Sequence, residues 1–241
     1  SVTGGNIISI GEFAFFNAIK LQSIDMESVQ QIGARSFQGL GRDGGQEHFS
    51  SSALTSIGDN AFIHSKIVSV DFPILQSVNS SVFQQCTRLE NVNLPAVTSI
   101  GMRGFQNCPL TGTMTFGDVT QLGEDAFRES RLLNASFPLV ESVPDRAFID
   151  SWIVFADIRN AATIGSGAFS GCSNLTTVVS PSFTRMDDDA GFGTATSLHT
   201  IDLTHWDQTL SNRFSNETCP YGTFLPGHDV VNCSVFTTTA T

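Results

Sequence analysis

The sequence predicts a repeat solenoid, with one short strand plus a turn or 3₁₀ segment in each repeat of 21–25 residues, about nine times over. Three observations predict it. The pattern I-G-x-x-A-F recurs in register along the chain. A short run of alternating apolar residues follows most copies. And no single copy can bury both of its apolar faces alone.

The pattern occupies Ile10 to Phe15, Ile32 to Phe37, Ile57 to Phe62, Val78 to Phe83, Ile100 to Phe105, Leu122 to Phe127, Val143 to Phe148 and Ile164 to Phe169. A ninth copy, Met186 to Phe192, carries one extra residue. The repeat phenylalanines are Phe15, Phe37, Phe62, Phe83, Phe105, Phe127, Phe148, Phe169 and Phe192, spaced by 22, 25, 21, 22, 22, 21, 21 and 23 residues. The segment is too short for a standing helix and suits a turn with Ala and Phe facing inward. The glycine after Ile marks a positive φ or a close backbone approach.

The second signature is clearest in Leu89-Glu90-Asn91-Val92-Asn93-Leu94-Pro95. Leu21-Gln22-Ser23-Ile24-Asp25-Met26 and Ile67-Val68-Ser69-Val70-Asp71-Phe72-Pro73 follow it. Alternation over so few residues reads as a half-buried strand. Stacked coils then place Leu, Val and Ile over their counterparts, with Phe as a ladder on the opposite wall.

This repeat resembles the BspA-like leucine-rich repeats of bacterial and protist surface proteins, whose units read L-x-x-I-x-[IL]-P-x-x-V-x-x-I-G-x-x-A-F-x-x-C. The match covers roughly residues 7 to 203. It implies a leucine-rich-repeat-type right-handed coil. It also implies a secreted or surface-displayed binding and adhesion module with no active site.

The domain reading is a solenoid over residues 1–204 and a non-repeating C-terminal cap with a Thr-rich tail over 205–241. Residues 1 to 9 show no recognisable cap, and the chain starts inside a repeat, as a mature or trimmed form would. Residues 38 to 53 break the pattern: Gly39, Gly41, Gly44 and Gly45 with three serines replace the expected Leu and Val. They read as a Gly-rich loop bulging from one edge, and as an insertion more than a contact surface. Without G-K-[ST] it is no phosphate loop. Beyond Leu203, Trp206, Phe214, Tyr221, Phe224, Leu225 and Val230 are available to cover the last coil. The end, Phe236 to Thr241, reads as a fragment end, the start of a stalk or an extended strand.

Composition narrows the function. The net charge is −11 with two lysines, Lys20 and Lys66, so nucleic acid is not an expected partner. No apolar run is long enough to insert directly into a membrane. Asp187-Asp188-Asp189 lacks the D-x-D-x-D spacing of a calcium loop and reads as a solvated acidic turn. His48, His64, His199, His205 and His228 are scattered, and no H-E-x-x-H or G-x-S-x-G is present. The expectation is therefore no enzyme, no metal and no cofactor.

Cys86, Cys108 and Cys172 each fall three residues after a repeat Phe, where other copies carry Ala18, Leu40, Ser65, Ser130, Ser151 and Ala195. They are expected to be buried free thiols. Cys219 and Cys233 lie beyond the repeats and are expected to form a disulfide, which implies an oxidising compartment. Five N-glycosylation sequons, at Asn79, Asn134, Asn174, Asn216 and Asn232, suit the same extracellular setting.

The expected function is an extracellular or cell-surface binding and adhesion module for a protein or glycan ligand. The alternative is a structural subunit of a surface filament or layer, self-associating head to tail through the uncapped N-terminal coil and the C-terminal tail. Most of the 20 phenylalanines are assigned to the core, so no binding hot spot is named from sequence.

Overall fold

The I-G-x-x-A-F segments from Ile32 to Phe169 fold as runs of hydrogen-bonded turns between two short strands. This is seen in a computed structural model that describes residues 7–41, 45–186, 192, 195, 197–198, 200–202 and 231–232. The chain divides into two units, Ser1–Arg131 and Leu132–Thr241. Each is a parallel β-solenoid, with no helix among the described residues.

The strands of the first unit are β1 (Ser9–Ile10), β2 (Gln31–Ile32), β3 (His48–Ser50), β4 (Ser56–Ile57), β5 (Ser69–Asp71), β6 (Ser77–Val78), β7 (Asn91–Leu94), β8 (Ser99–Ile100), β9 (Met114–Phe116) and β10 (Gln121–Leu122). The longer strands form one four-stranded sheet, β3-β5-β7-β9. The two-residue strands that open each pattern form two separate ladders, β1-β2-β4 and β6-β8-β10. The strands of the second unit are β11 (Asn134–Ser136), β12 (Ser142–Val143), β13 (Phe155–Asp157), β14 (Thr163–Ile164), β15 (Thr177–Val179), β16 (Arg185–Met186), β17 (Thr200–Asp202) and β18 (Val231–Asn232). They give the sheets β11-β13-β15-β17-β18 and β12-β14-β16. All pairs are parallel except β17 with β18, which is antiparallel.

The core follows from the pattern. Phe37, Phe62, Phe83, Phe105 and Phe127 are buried in the first unit, and Phe148, Phe169 and Phe192 in the second. Phe15, in the first described turn, is half-buried. Neighbouring rings lie nearly parallel at centroid distances of 4.9 Å (Phe37–Phe62), 5.2 Å (Phe83–Phe105) and 5.2 Å (Phe148–Phe169). Such pairs contribute about 0.5–1.5 kcal/mol beyond area burial. Strand residues such as Val70 and Val92 close the opposite wall.

The turns stack through a second ladder. In the turns of Phe15, Phe37, Phe62, Phe83, Phe105 and Phe148 the N–H groups of the Phe and of the residues two before and two after it donate to the following turn. Phe37 N donates to Ala61 O at 2.8 Å, Arg35 N to Asp59 O at 3.0 Å and Gly39 N to Ile63 O at 2.9 Å. The intervening N–H groups close i→i+3 bonds within their own turn, as Gln38 N does to Arg35 O. This alternation requires a left-handed residue two before and two after each Phe. These are the pairs Phe13 and Asn17, Arg35 and Gly39, Asn60 and His64, Ser81 and Gln85, Arg103 and Asn107, Asp125 and Glu129, Arg146 and Asp150, and Gly167 and Gly171. A non-glycine residue there costs about 1–2 kcal/mol, comparable with the inter-turn bonds it permits.

The glycine after Ile is explained by close approach and not by φ, since Gly33, Gly58, Gly101, Gly123 and Gly165 all keep ordinary backbone conformations. A Cβ on Gly33 would lie 2.5 Å from Glu12 N. That closeness lets Gly33 N donate to Ile10 O, and Gly101 N to Val78 O, at 2.8 and 2.7 Å. Asn79 occupies the same place and cannot approach as closely. Here the ladder breaks between β4 and β6. The Asn79 Nδ2 amide bridges the gap instead, donating to Ile57 O at 2.9 Å.

Two local expectations change. Residues 48–50, placed in the Gly-rich loop, return to the sheet as β3. Phe49 takes the core position of Val70 and packs edge-on against Phe37 and Phe62 at 5.2 and 5.1 Å. The Leu21–Met26 run, in contrast, keeps only an isolated bridge at Ile24. Its N–H is taken by the side chain of Gln46, whose Oε1 accepts it at 2.6 Å.

Candidate ligand-binding face

The outward face of β3-β5-β7-β9 is set by strand alternation. Phe49, Val70 and Val92 point inward, so the residues beside them point out. Register then aligns two rows, His48–Ser69–Asn91 and Ser50–Asp71–Asn93–Thr115. Neighbours in the rows bond to each other. His48 Nδ1 and Ser69 Oγ are 2.7 Å apart, and Asn93 Nδ2 donates to Asp71 Oδ1 at 2.8 Å. Asn91 Oδ1 accepts the Thr113 N–H at 2.9 Å.

A groove of about 520 Å³ opens beside these rows, lined by Asp25, Glu27, Gln46, His48, Ser51 and Asp71 among others. Its floor exists because the Leu21–Met26 run leaves the sheet early. Gln46 holds that floor, since its Nε2 donates to His48 O at 2.9 Å. A shallower hollow of about 220 Å³ continues over Ser69, Asn91, Asn93, Thr113 and Thr115. Asp71 lines both. The lining carries three carboxylates and no Lys or Arg. Arg88, three residues before Asn91, is paired with Glu47. Such a surface offers short donors and acceptors to a polar ligand and repels polyanions.

The matching face of the second unit differs. Asn134, Phe155 and Thr177 share one row, and Ser136, Asp157 and Val179 the next. Asp157 is nearly buried and takes Arg159 in a two-pronged pair, with Arg159 Nε at 3.0 Å from Oδ1. That carboxylate holds the Arg159 guanidinium above its usual range. Leu133, Trp152 and Val154 are exposed beside Phe155. Sequence reading missed this patch because it lies outside the repeat's defining positions.

Among the predicted site residues, Cys86, Cys108 and Cys172 are buried free thiols. Burial pushes the Cys86 thiol up to about 12, Cys172 up to about 11, and Cys108 well above its ordinary value. They are therefore inert packing groups. Asn79, Asn134 and Asn174 are exposed, and Asn232 lies in β18. Cys219, Cys233, Asn216, Asp187-Asp188-Asp189, His199, His205, His228 and the tail aromatics lie outside the described residues. No group of three or more His, Cys, Asp or Glu suited to a metal ion occurs among the described residues. None of the described elements is a helix long and apolar enough to cross a membrane.

Comparison with solved structures finds the fold again. A leucine-rich repeat protein from Bacteroides ovatus is similar at a TM-score of 0.55 and 20% identity, over 79% of this chain. This chain spans 57% of that structure's length. A leucine rich cell surface protein from Faecalibacterium prausnitzii matches at a TM-score of 0.38 and 18% identity, over 89% of this chain and 88% of that one. At 20% identity the likeness to the Bacteroides ovatus protein is one of fold. No curated protein matches the chain. The BspA type leucine rich repeat region matches in six copies, over residues 2–42, 55–176 and 141–238. The chain belongs to the BspA type leucine-rich repeat family.

Proposed function

We propose that the chain is an extracellular or cell-surface binding module, non-catalytic, that engages a protein or glycan ligand on the outward face of β3-β5-β7-β9. The observation that carries this reading is the aligned row Ser50–Asp71–Asn93–Thr115, continuous with the groove through Asp71. Parallel register repeats short polar groups at the inter-strand spacing of about 4.8 Å. An extended ligand lying across the strands meets one such group per coil. Membership in a surface-protein repeat family supports the setting. The test is a screen of the soluble chain against immobilised glycans and extracellular matrix proteins, repeated with Asp71→Lys. A ligand held by this face is lost in the variant. Retention of every hit by Asp71→Lys refutes the assignment.

One observation favours the head-to-tail alternative. The turn ladder is polar, with N–H groups facing the following turn and carbonyls facing the preceding one. In the first described turn the carbonyls of Glu12, Ala14 and Phe16 receive no backbone N–H among the described residues. Any turn that abuts them, from this chain or from a second copy, must bring donors. Two such faces cannot pair with each other, so an assembly through them is heterologous. Sedimentation velocity across a hundredfold concentration range separates a concentration-independent monomer from such growth.

A further inference from the structure

Two sequons of the second unit frame its exposed apolar patch. Asn134 of β11 is the direct register partner of Phe155 in β13. One coil on, Asn174 stands 22 residues after Trp152, the offset that pairs Phe155 with Thr177. Backbone bonds fix the intervening residues. Val154 N donates to Leu133 O at 2.7 Å, and Thr176 N to Val154 O at 2.9 Å. Trp152, Leu133 and Val154 are exposed by 49%, 54% and 38%. Asn134 and Asn174 are themselves exposed. Asn79 is different, because its amide is committed to the Ile57 carbonyl and spans a break in the ladder.

We propose that N-linked glycans on Asn134 and Asn174 cover this patch, with Trp152 as the surface on which the Asn174 sugar rests. A pyranose has an apolar C–H face and hydroxyl edges. Laid on an indole, it removes apolar surface from water and keeps its hydroxyls hydrated. Adjacent coils lie about 4.8 Å apart, which is within the reach of the first sugar on Asn174. Glycan of the same chain is the occupant favoured because two acceptor sites, not one, border the same four apolar residues.

The modification needs a lipid-pyrophosphate-linked oligosaccharide as donor and a transferase of the export pathway. The asparagine Nδ2 attacks the anomeric carbon, forming a C–N bond. The C–O bond to the pyrophosphate breaks, lipid pyrophosphate leaves, and the amide gives up one proton. No oxidation state changes. This inference does not depend on the ligand face proposed for the first unit.

The test begins with the whole chain secreted from eukaryotic cells and glycopeptide mass spectrometry at each sequon. Acrylamide quenching of Trp152, in a Trp206→Phe background, is then compared before and after an amidase removes the glycans. Occupancy at both sites and an at least twofold rise in quenching on removal are expected. Asn174→Gln gives the same rise without enzyme. Dye binding by the deglycosylated wild-type chain rises in parallel and needs no tryptophan substitution. Empty sites at Asn134 and Asn174 overturn the proposal. So does an occupied Asn174 whose removal leaves both quenching and dye binding unchanged, or a secreted chain that buries the patch against a protein partner.

Discussion

The thiol of Cys86 donates to the carbonyl oxygen of Phe62, one turn back, at 3.0 Å. Cys108 meets Phe83 O, and Cys172 meets Phe148 O, each at 3.0 Å. The cysteine of the repeat is thus a buried donor to the preceding turn. Serine, another small residue, takes the same place at Ser65, Ser130 and Ser151, where the Ser65 and Ser151 hydroxyls meet the thiols of Cys86 and Cys172 and that of Ser130 has no partner among the described residues.

These thiols make the fold sensitive to alkali. Their folded pKa values are raised above the unfolded value, so the folded state holds its protons more tightly. The stabilisation is complete below about pH 9 and is lost as pH rises toward about 12 for Cys86. Cys86 contributes a loss of about 1.4 kcal/mol per pH unit in that window. Urea unfolding between pH 8 and 10.5 is expected to show falling stability, with a smaller slope in Cys86→Ser. Equal slopes in both proteins contradict this.

Ser36 sits where most repeats carry alanine or another small residue. It is fully buried, and its hydroxyl has no partner among the described residues. An unsatisfied buried hydroxyl costs about 1–3 kcal/mol. Ser36→Ala is expected to raise stability by about 1 kcal/mol, read as a shift in urea midpoint with an unchanged slope.

At Asn79, alanine removes the only donor among the described residues that reaches Ile57 O across the ladder break. A loss of about 1–2 kcal/mol is expected. Glycine is expected to do less harm, because it permits the close approach used at Gly33 and Gly101. Thermal unfolding of both variants tests the order. Glycine worse than alanine would show that the amide is not a substitute for the backbone bond.

Left-handed positions give a further test. Gln85 has φ 57°, so Gln85→Gly relieves about 1–2 kcal/mol of steric cost and gives back about 0.5–1 kcal/mol in unfolded-chain entropy. A small net gain, up to about 1 kcal/mol, is expected in thermal unfolding.

The repeat, its phenylalanine ladder and the small buried residue after Phe were legible because they recur at fixed spacing. The left-handed positions were not, since Arg35, Ser81, Gln85 and Glu129 carry no glycine signal there. Strand β3 was hidden for a similar reason: Phe49 is a lone apolar residue in a polar, Gly-rich stretch, and only its contact with Phe37 and Phe62 identifies it. The groove depends on Gln46 holding a run that fails to become a strand, a side-chain event with no periodicity. Trp152 and Leu133 escaped because an exposed apolar residue looks, in sequence, like a core one.

The central claim is that the outward face of β3-β5-β7-β9 is where the ligand lies. The most direct measurement is the affinity of any glycan or matrix protein found in the screen for Asn93→Trp, in the middle of that face. Met102→Trp, an exposed residue on the turn side, is the control. At least a 30-fold weakening is expected for Asn93→Trp, about 2 kcal/mol, with the control within twofold of wild type. Equal affinities in all three proteins, or loss only in Met102→Trp, would place the ligand elsewhere and contradict the account.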